Sequence, residues 1–152
     1  MDRLPGSVLF VCSANSIRSP MAEGIAKHLF GDRVFVDSAG IEPGEPDGFA
    51  VEAMDELGID LSRHKPKALD ELNDTSFDLV VSLSAEARPA VAEMTRTLHC
   101  TVEHWPLPDP STVDGNRDIR MNAYRSVRDA LMARIKRRFD LAGADTIRGC
   151  WK

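Results

Sequence analysis

After seven residues the chain enters Val8-Leu9-Phe10-Val11, an unbroken apolar run. A strand covered on both faces needs such a run, because both of its alternating side-chain sets are buried. The period then changes. Met21, Ala22, Ile25, Leu29 and Phe30 recur at helical spacing. Ser19 suits the N-cap of that helix, Pro20 its first turn and Gly31 its stop. Val34-Phe35-Val36 reads as a second strand, and the Gly- and Pro-rich stretch Ala39 to Gly48 as loop. Asp47 is placed to cap a helix whose apolar face is Ala50, Ala53, Met54 and Leu57, stopped by Gly58. A third strand is expected over Phe77 to Leu83, then a helix around Ala90 to Met94 with Pro89 in its first turn. Thr101 to Trp105 reads as strand four and Pro106 to Gly115 as loop. The stripe Tyr124, Val127, Leu131, Ile135 marks the last helix.

Strands alternating with helices predict an α/β fold in three layers, a parallel sheet with helices on both faces and right-handed crossovers. No repeat, low-complexity tract or linker interrupts the pattern, so residues 1–152 read as one domain. In such sheets a ligand sits beyond the carboxyl ends of the strands. Cys12 falls at one such end and the loop carrying Asp109 follows another, so the two are expected to meet.

Charge and composition narrow the field. A net charge of -5 argues against a general nucleic-acid binder. No apolar run is long enough to span a bilayer, and Met1 to Gly6 is too short and polar for a signal peptide. The expected location is the cytoplasm. Cys12, Cys100 and Cys150 are too far apart for a disulfide framework or a zinc knuckle, and no spacing among the four histidines suggests metal ligands.

The chemistry concentrates in Cys12-Ser13-Ala14-Asn15-Ser16-Ile17-Arg18-Ser19, which joins a strand to a helix N-terminus. Unpaired amides there can converge on an anion the size of phosphate. Arg18 adds a planar guanidinium able to donate two parallel hydrogen bonds to phosphate oxygens. The same field favours Cys12 as a thiolate. Ser19 can donate to the sulfur, which supports the anion and eases its departure from a thiophosphate. An Arg-Ser pair at this distance after a given Cys arises by chance only about one time in a hundred.

Val11-Cys12, Asn15 and Arg18-Ser19-Pro20-Met21-Ala22-Glu23 closely resemble the nucleophile loop and first helix of the low-molecular-weight protein tyrosine phosphatases. The resemblance continues through Asp37-Ser38-Ala39-Gly40, Ala53 to Asp60, His64 and Asp109-Pro110, covering roughly residues 7 to 139. It implies a four-stranded parallel sheet flanked by helices, with no metal and no organic cofactor. It also implies a phosphomonoester hydrolase acting through a Cys12 thiophosphate. Asp109, between Pro108 and Pro110, would be the general acid that later activates water. Asn15, Ser38 and His64 would form a supporting network, with Asn15 tolerating the left-handed backbone a tight anion loop requires.

The sequence also departs from that family. A second cysteine often precedes the arginine; here Ile17 stands there. The aromatic walls expected beside a phosphotyrosine ring are missing, with Ser111 after Pro110 and no aromatic residue from Ile41 to Asp47. Substrates in view are therefore a phosphorylated protein, a small phosphoester or an arginine phosphate. Two other readings stand beside hydrolysis. An arsenate reductase would share the oxyanion site, but Ser82 to Pro89 holds no relay cysteine, so it would need an external thiol. A non-catalytic phosphate-binding module would explain the lost walls but not a thiol beside an acid. Lys136-Arg137-Arg138 reads as the dipole-favoured C-terminal turn of the last helix. Asp140 to Lys152 is uninformative.

Overall fold

A computed structural model describes residues 4–147, with side chains described through residue 139. Four strands, β1 (Ser7–Cys12), β2 (Phe35–Gly40), β3 (Leu79–Ser82) and β4 (Thr101–His104), form one parallel sheet in the order β2-β1-β3-β4. The helices are α1 (Arg18–Phe30), α2 (Gly48–Asp55), α3 (Ala87–Thr95) and α4 (Arg117–Ile147). The expected three-layer α/β architecture is present.

Alternate residues of β1 feed two separate cores, which explains its unbroken apolar run. Val8, Phe10 and Cys12 face α1, α2 and α4, where Met21, Ile25, Met54, Tyr124 and Leu131 are buried. Leu9 and Val11 face the other side, against Val91 of α3 and the half-buried Leu69 and Leu72. The step from β1 to β2 runs over the first face and the opposite step from β3 to β4 over the second. Opposite shifts on opposite faces keep a single crossover hand. The strand order reverses beside β1, so the crevice opens where β1 ends at Cys12.

Several local expectations are corrected. β2 continues through Ala39 and Gly40, where the composition predicts loop, because Val11 and Cys12 of β1 pair with them. β3 is shorter than Phe77 to Leu83. α2 ends at Asp55, before a tight turn, and Leu57 is exposed rather than on the buried face. Gly31 follows α1 in right-handed helical conformation. Lys136 to Arg138 lie inside α4, since its backbone runs on to Ile147, so they do not form its last turn. Cys150 and Trp151 lie outside the described residues. No helix among the described residues is long and apolar enough to cross a membrane.

Candidate active site

Residues 13 to 17 fold as a tight loop between β1 and α1, centred on Asn15 at φ 55°. The left-handed region is costly for most side chains, and Asn is among the few that enter it. The loop's carbonyls are tied down from behind: Ile41 N–H donates to the Cys12 and Ser13 oxygens, Glu42 N–H to Ser13 and Gly44 N–H to Ala14 at 2.8 Å. The N–H groups of Ser13 to Ile17 pair with no acceptor among the described residues. They belong to a loop bordering a cavity of about 230 Å³, lined by Cys12, Ser13, Ala14, Ser16, Ile17 and Arg18, with Gly44, Glu45, Asp47, Asp109 and Ser111 at its mouth.

Gly40 makes the close approach possible. A Cβ there would stand 2.7 Å from the Asn15 nitrogen and 2.9 Å from the Ser13 oxygen, distances backbone atoms cannot yield without moving. Gly40 N–H in turn donates to the Lys67 carbonyl at 2.9 Å, bringing residues 67 and 68 alongside the end of β2.

That segment orients Asn15. Lys67 N–H donates to Asn15 Oδ1 at 2.9 Å, and a backbone N–H can only donate, so the amide orientation follows. Asn15 Nδ2 then donates to Ser19 Oγ (2.8 Å) and Ser38 Oγ (2.9 Å). His64 Nε2 faces two acceptors, the Asn15 carbonyl at 3.0 Å and Oδ1 at 3.1 Å, so it carries the proton. Ser38, already accepting, passes its proton to Glu23. Ser19, also accepting, has Cys12 Sγ at 3.0 Å and the Ala39 carbonyl at 3.4 Å as acceptors. The nearer is the sulfur, which the Ser19 N–H also approaches at 3.4 Å. The Ser19 hydroxyl and the Ser19 N–H thus both lie against the Cys12 sulfur.

Ser19 is therefore not the N-cap of α1. Ile17 holds that position with no side-chain cap, and Ser19 is the second helical residue. Its hydroxyl turns to the sulfur, which only the folded loop brings into reach. Arg18 is nearly buried, and its guanidinium donates to the Leu107 carbonyl at 3.0 Å. This bond ties the loop to the segment that carries Asp109. Asp109 begins a 3-10 turn, Pro110–Thr112, and its Oδ1 accepts from Ser111 N–H (2.9 Å) and Ser111 Oγ–H (2.6 Å). The structure thus places Cys12, Arg18 and Asp109 on one cavity and Asn15, Ser19, Ser38 and His64 behind it.

Glu23, Glu45, Ser84 and Glu86 join this neighbourhood without a signal of their own in the sequence analysis. Glu23 ends the Asn15–Ser38 chain and pairs with Lys27 at 2.6 Å. Ser19, Glu23 and Lys27 recur every four residues, a spacing that could have placed them on one helical face. Ser13 Oγ lies 3.1 Å from Ser84 Oγ and donates to Glu86 at 3.1 Å. The Glu86 backbone N–H and the Ser13 hydroxyl hold its carboxyl below the ordinary range. Glu45, Asp47 and Asp109 surround the mouth, three carboxylates against the single guanidinium of Arg18. Among the described residues, no group of three or more His, Cys, Asp or Glu could hold a metal ion.

A family model described as low molecular weight phosphotyrosine protein phosphatase matches residues 7–142. An arsenate reductase of Shouchella clausii is 38% identical over 132 residues, spanning 86% of this chain and 92% of that protein. A solved arsenate reductase in the phosphate binding state aligns at a TM-score of 0.71 with 30% identity, covering 91% of this chain and 97% of its own. The YwlE arginine phosphatase, in a mutant with a phosphorylated active site serine, aligns at a TM-score of 0.69 with 27% identity, covering 84% and 89%.

Proposed function

The chain belongs to the low molecular weight phosphotyrosine protein phosphatase family, and from that premise we propose that it is a cysteine-dependent phosphatase with Cys12 as nucleophile, Arg18 as phosphate clamp and Asp109 as general acid and base. The observation that carries this reading is the placement of the Ser19 hydroxyl, at 3.0 Å, and the Ser19 N–H, at 3.4 Å, against the Cys12 sulfur at the edge of the cavity. A merely structural buried cysteine has no use for two donors on its sulfur beneath a loop of unpaired amides.

The reaction then runs in two steps. Cys12 Sγ attacks phosphorus, the bond to the leaving group breaks, and Asp109 protonates the departing atom. Asp109, now a carboxylate, takes a proton from water; the water oxygen attacks the thiophosphate, and the thiolate leaves onto the Ser19 hydroxyl. Through both steps the loop amides and Arg18 hold the phosphoryl oxygens. Cys12→Ser should abolish turnover of p-nitrophenyl phosphate while phosphate still binds. Asp109→Ala should slow poor leaving groups far more than nitrophenol, which scarcely needs the proton. Equal losses across leaving groups would remove Asp109 from the acid role.

The mouth bears on the substrate. With Asp109 holding its proton for the first step, Glu45 and Asp47 oppose an anionic phosphopeptide and favour a phosphoryl group carried beside a positive charge. Phosphorylated arginine fits that description, and the likeness to an arginine phosphatase supports it. Higher kcat/KM for a phosphoarginine peptide than for its phosphotyrosine counterpart, with the gap narrowing in salt, is the expected result. A preference for phosphotyrosine would overturn it.

A second reading is favoured by the curated relatives, which are named arsenate reductases. Arsenate would occupy the same cradle, with Cys12 attacking arsenic and displacing water; a second thiol then attacks the Cys12 sulfur, arsenite leaves with the two electrons, and another thiol reduces the disulfide that forms. The segment after β3 that flanks the loop offers Ser84, not sulfur, and Cys100 packs against the opposite core. Among the described residues no second thiol flanks the loop, so this reading takes an external thiol such as glutathione. Arsenate-dependent consumption of NADPH in a glutathione-coupled assay would support this activity; consumption at the level of an arsenate-free control would rule it out.

A further inference from the structure

The phosphate cavity does not end at its mouth. Ser16 and Asp47, which line it, also wall a narrow trough between the start of α2 and residues 61–64, completed by Pro46, Val51, Leu61 and His64. Leu61 and His64 in turn line a recess of about 480 Å³ against α1, with Lys27, Arg63, Lys65 and Lys67 around it. Shared walls thus make one track from Cys12 to this recess. Its polarity changes along the way. The near end meets Glu45 and Asp47; the far end presents four cations against two carboxylates, Glu23 and Asp60. Both far carboxylates are already engaged. Glu23 accepts from Ser38 and Lys27, and Asp60 accepts from Ser62 N–H at 2.8 Å, with Arg63 further off. Lys67 is held by Asp37 at 2.7 Å. Arg63 and Lys65 are exposed, and their side chains make no hydrogen bond or ion pair among the described residues. In a chain of net charge -5, two uncommitted cations therefore stand at the end of a track that begins at the nucleophile.

We propose that this track docks the polypeptide that carries the substrate phosphoryl group, with an acidic side chain of that polypeptide seated between Arg63 and Lys65. The proposal rests on the phosphatase reading and adds the partner: a phosphoprotein with acid on one flank of the modified residue, rather than a small free phosphoester. A chain anchored by its phosphoryl group in the Cys12 loop can follow the trough to a countercharge. An acid directly beside the phosphorylated residue would meet Glu45 and Asp47, whereas one further along meets Arg63 and Lys65. Spacing is thereby read as well as sign. The other wall residues have a different task, since His64 and the Lys67 N–H hold Asn15 from behind at 3.1 and 2.9 Å.

Fluorescence anisotropy of labelled peptides on the full Cys12→Ser chain tests this. Each peptide carries phosphoarginine or, in a parallel set, phosphotyrosine, with a pair of aspartates or of lysines walked along either flank. The expected result is a preference for aspartate on one flank at one separation, narrowing with added salt. Arg63→Glu with Lys65→Glu should weaken the best aspartate peptide about tenfold, the scale of two exposed charge pairs turned from attraction to repulsion, and should reverse the preference toward lysine. With Cys12 intact, the same double variant should hydrolyse p-nitrophenyl phosphate like the wild type, since neither residue lines the phosphate cavity. Equal affinity for aspartate and lysine at every position, or no reversal in the charge-reversed chain, would overturn the docking site. So would loss of p-nitrophenyl phosphate hydrolysis in that variant, which would place Arg63 and Lys65 in the support of Asn15. A wild type that hydrolyses no phosphoester would overturn the phosphatase reading alone, because the binding comparison needs no turnover.

Discussion

Ser19 shows how one side chain can be claimed by the site rather than by its helix. Placed at the start of α1, it would ordinarily satisfy a free amide; instead its hydroxyl accepts from Asn15 and lies 3.0 Å from Cys12 Sγ, and under the proposed route it donates to the thiolate. Ser19→Ala removes a hydrogen bond to a charged group, which is worth about 1.5–3 kcal/mol. Under the proposed route the loss falls on thiolate departure, so steady-state turnover should drop by about tenfold to a hundredfold. The pre-steady-state burst of nitrophenol should persist. A burst lost in parallel with turnover would place Ser19 elsewhere in the mechanism. Gly40 is the second residue-scale case. Gly40→Ala forces a Cβ within 3 Å of three loop backbone atoms. It should lower stability by about 1–3 kcal/mol, as overpacking does, and weaken phosphate binding. Wild-type phosphate affinity in a folded Gly40→Ala protein would show that the loop is not held by this contact.

Between elements, α2 and α4 are joined by charge as well as by apolar packing. Glu56, just past α2, receives Arg125 and Arg128 from α4, and Arg128 Nη1 also donates to the Ala53 carbonyl at 2.8 Å. Hydrogen bonds from Arg125 and then Arg128 lower the Glu56 carboxyl from an ordinary 4.5 to about 2. A depressed folded value means that the unfolded chain takes up the proton first. The contribution is therefore complete above pH 4.5 and is lost as pH falls toward 2. Glu56→Gln should flatten the acid limb of the stability curve in that window, measured by urea unfolding at stepped pH. An unchanged acid limb would show that the pair is too solvated to matter. At the other end of α2, Asp47 caps the helix through Ala50 N–H and accepts from the Tyr124 hydroxyl of α4 at 2.9 Å. Burial and this bond push the Tyr124 phenol well above its ordinary range. The same carboxylate lines the phosphate cavity, so the α2–α4 junction and the mouth of the site share a residue.

Across the whole molecule, the sheet separates the two described thiols. Cys12 belongs to the core under α1, α2 and α4, and Cys100 packs against the opposite core. Ile17, where a neighbouring thiol could have stood, is buried in the same core as Cys12. Neither position offers a partner that could trap oxidised Cys12 as a disulfide. Prolonged peroxide should therefore carry Cys12 past the sulfenic stage, with activity not restored by added thiol and sulfinic or sulfonic acid found by mass spectrometry. Full recovery with dithiothreitol would contradict this.

Much of the architecture was legible because it is local. The apolar run of β1, the helical spacing after Ser19 and the Asp47 cap each depend on residues within a turn or a strand of one another. The spacing of Cys12, Arg18 and Ser19 likewise pointed to the loop that borders the cavity. What remained hidden depends on partners far apart in the chain. β2 extends to Gly40 because β1 is there to pair with it, and Asn15 is oriented by residues about fifty positions away. Arg18 is anchored by a carbonyl 89 residues on, and the acidic mouth gathers Glu45, Asp47 and Asp109 from two distant loops. Such contacts leave no periodic trace, because chain separation sets neither distance nor direction. Residue types alone determined which oxyanion chemistry this chain can attempt; only the packed sheet decided where each proton points and what charge a substrate meets at the entrance.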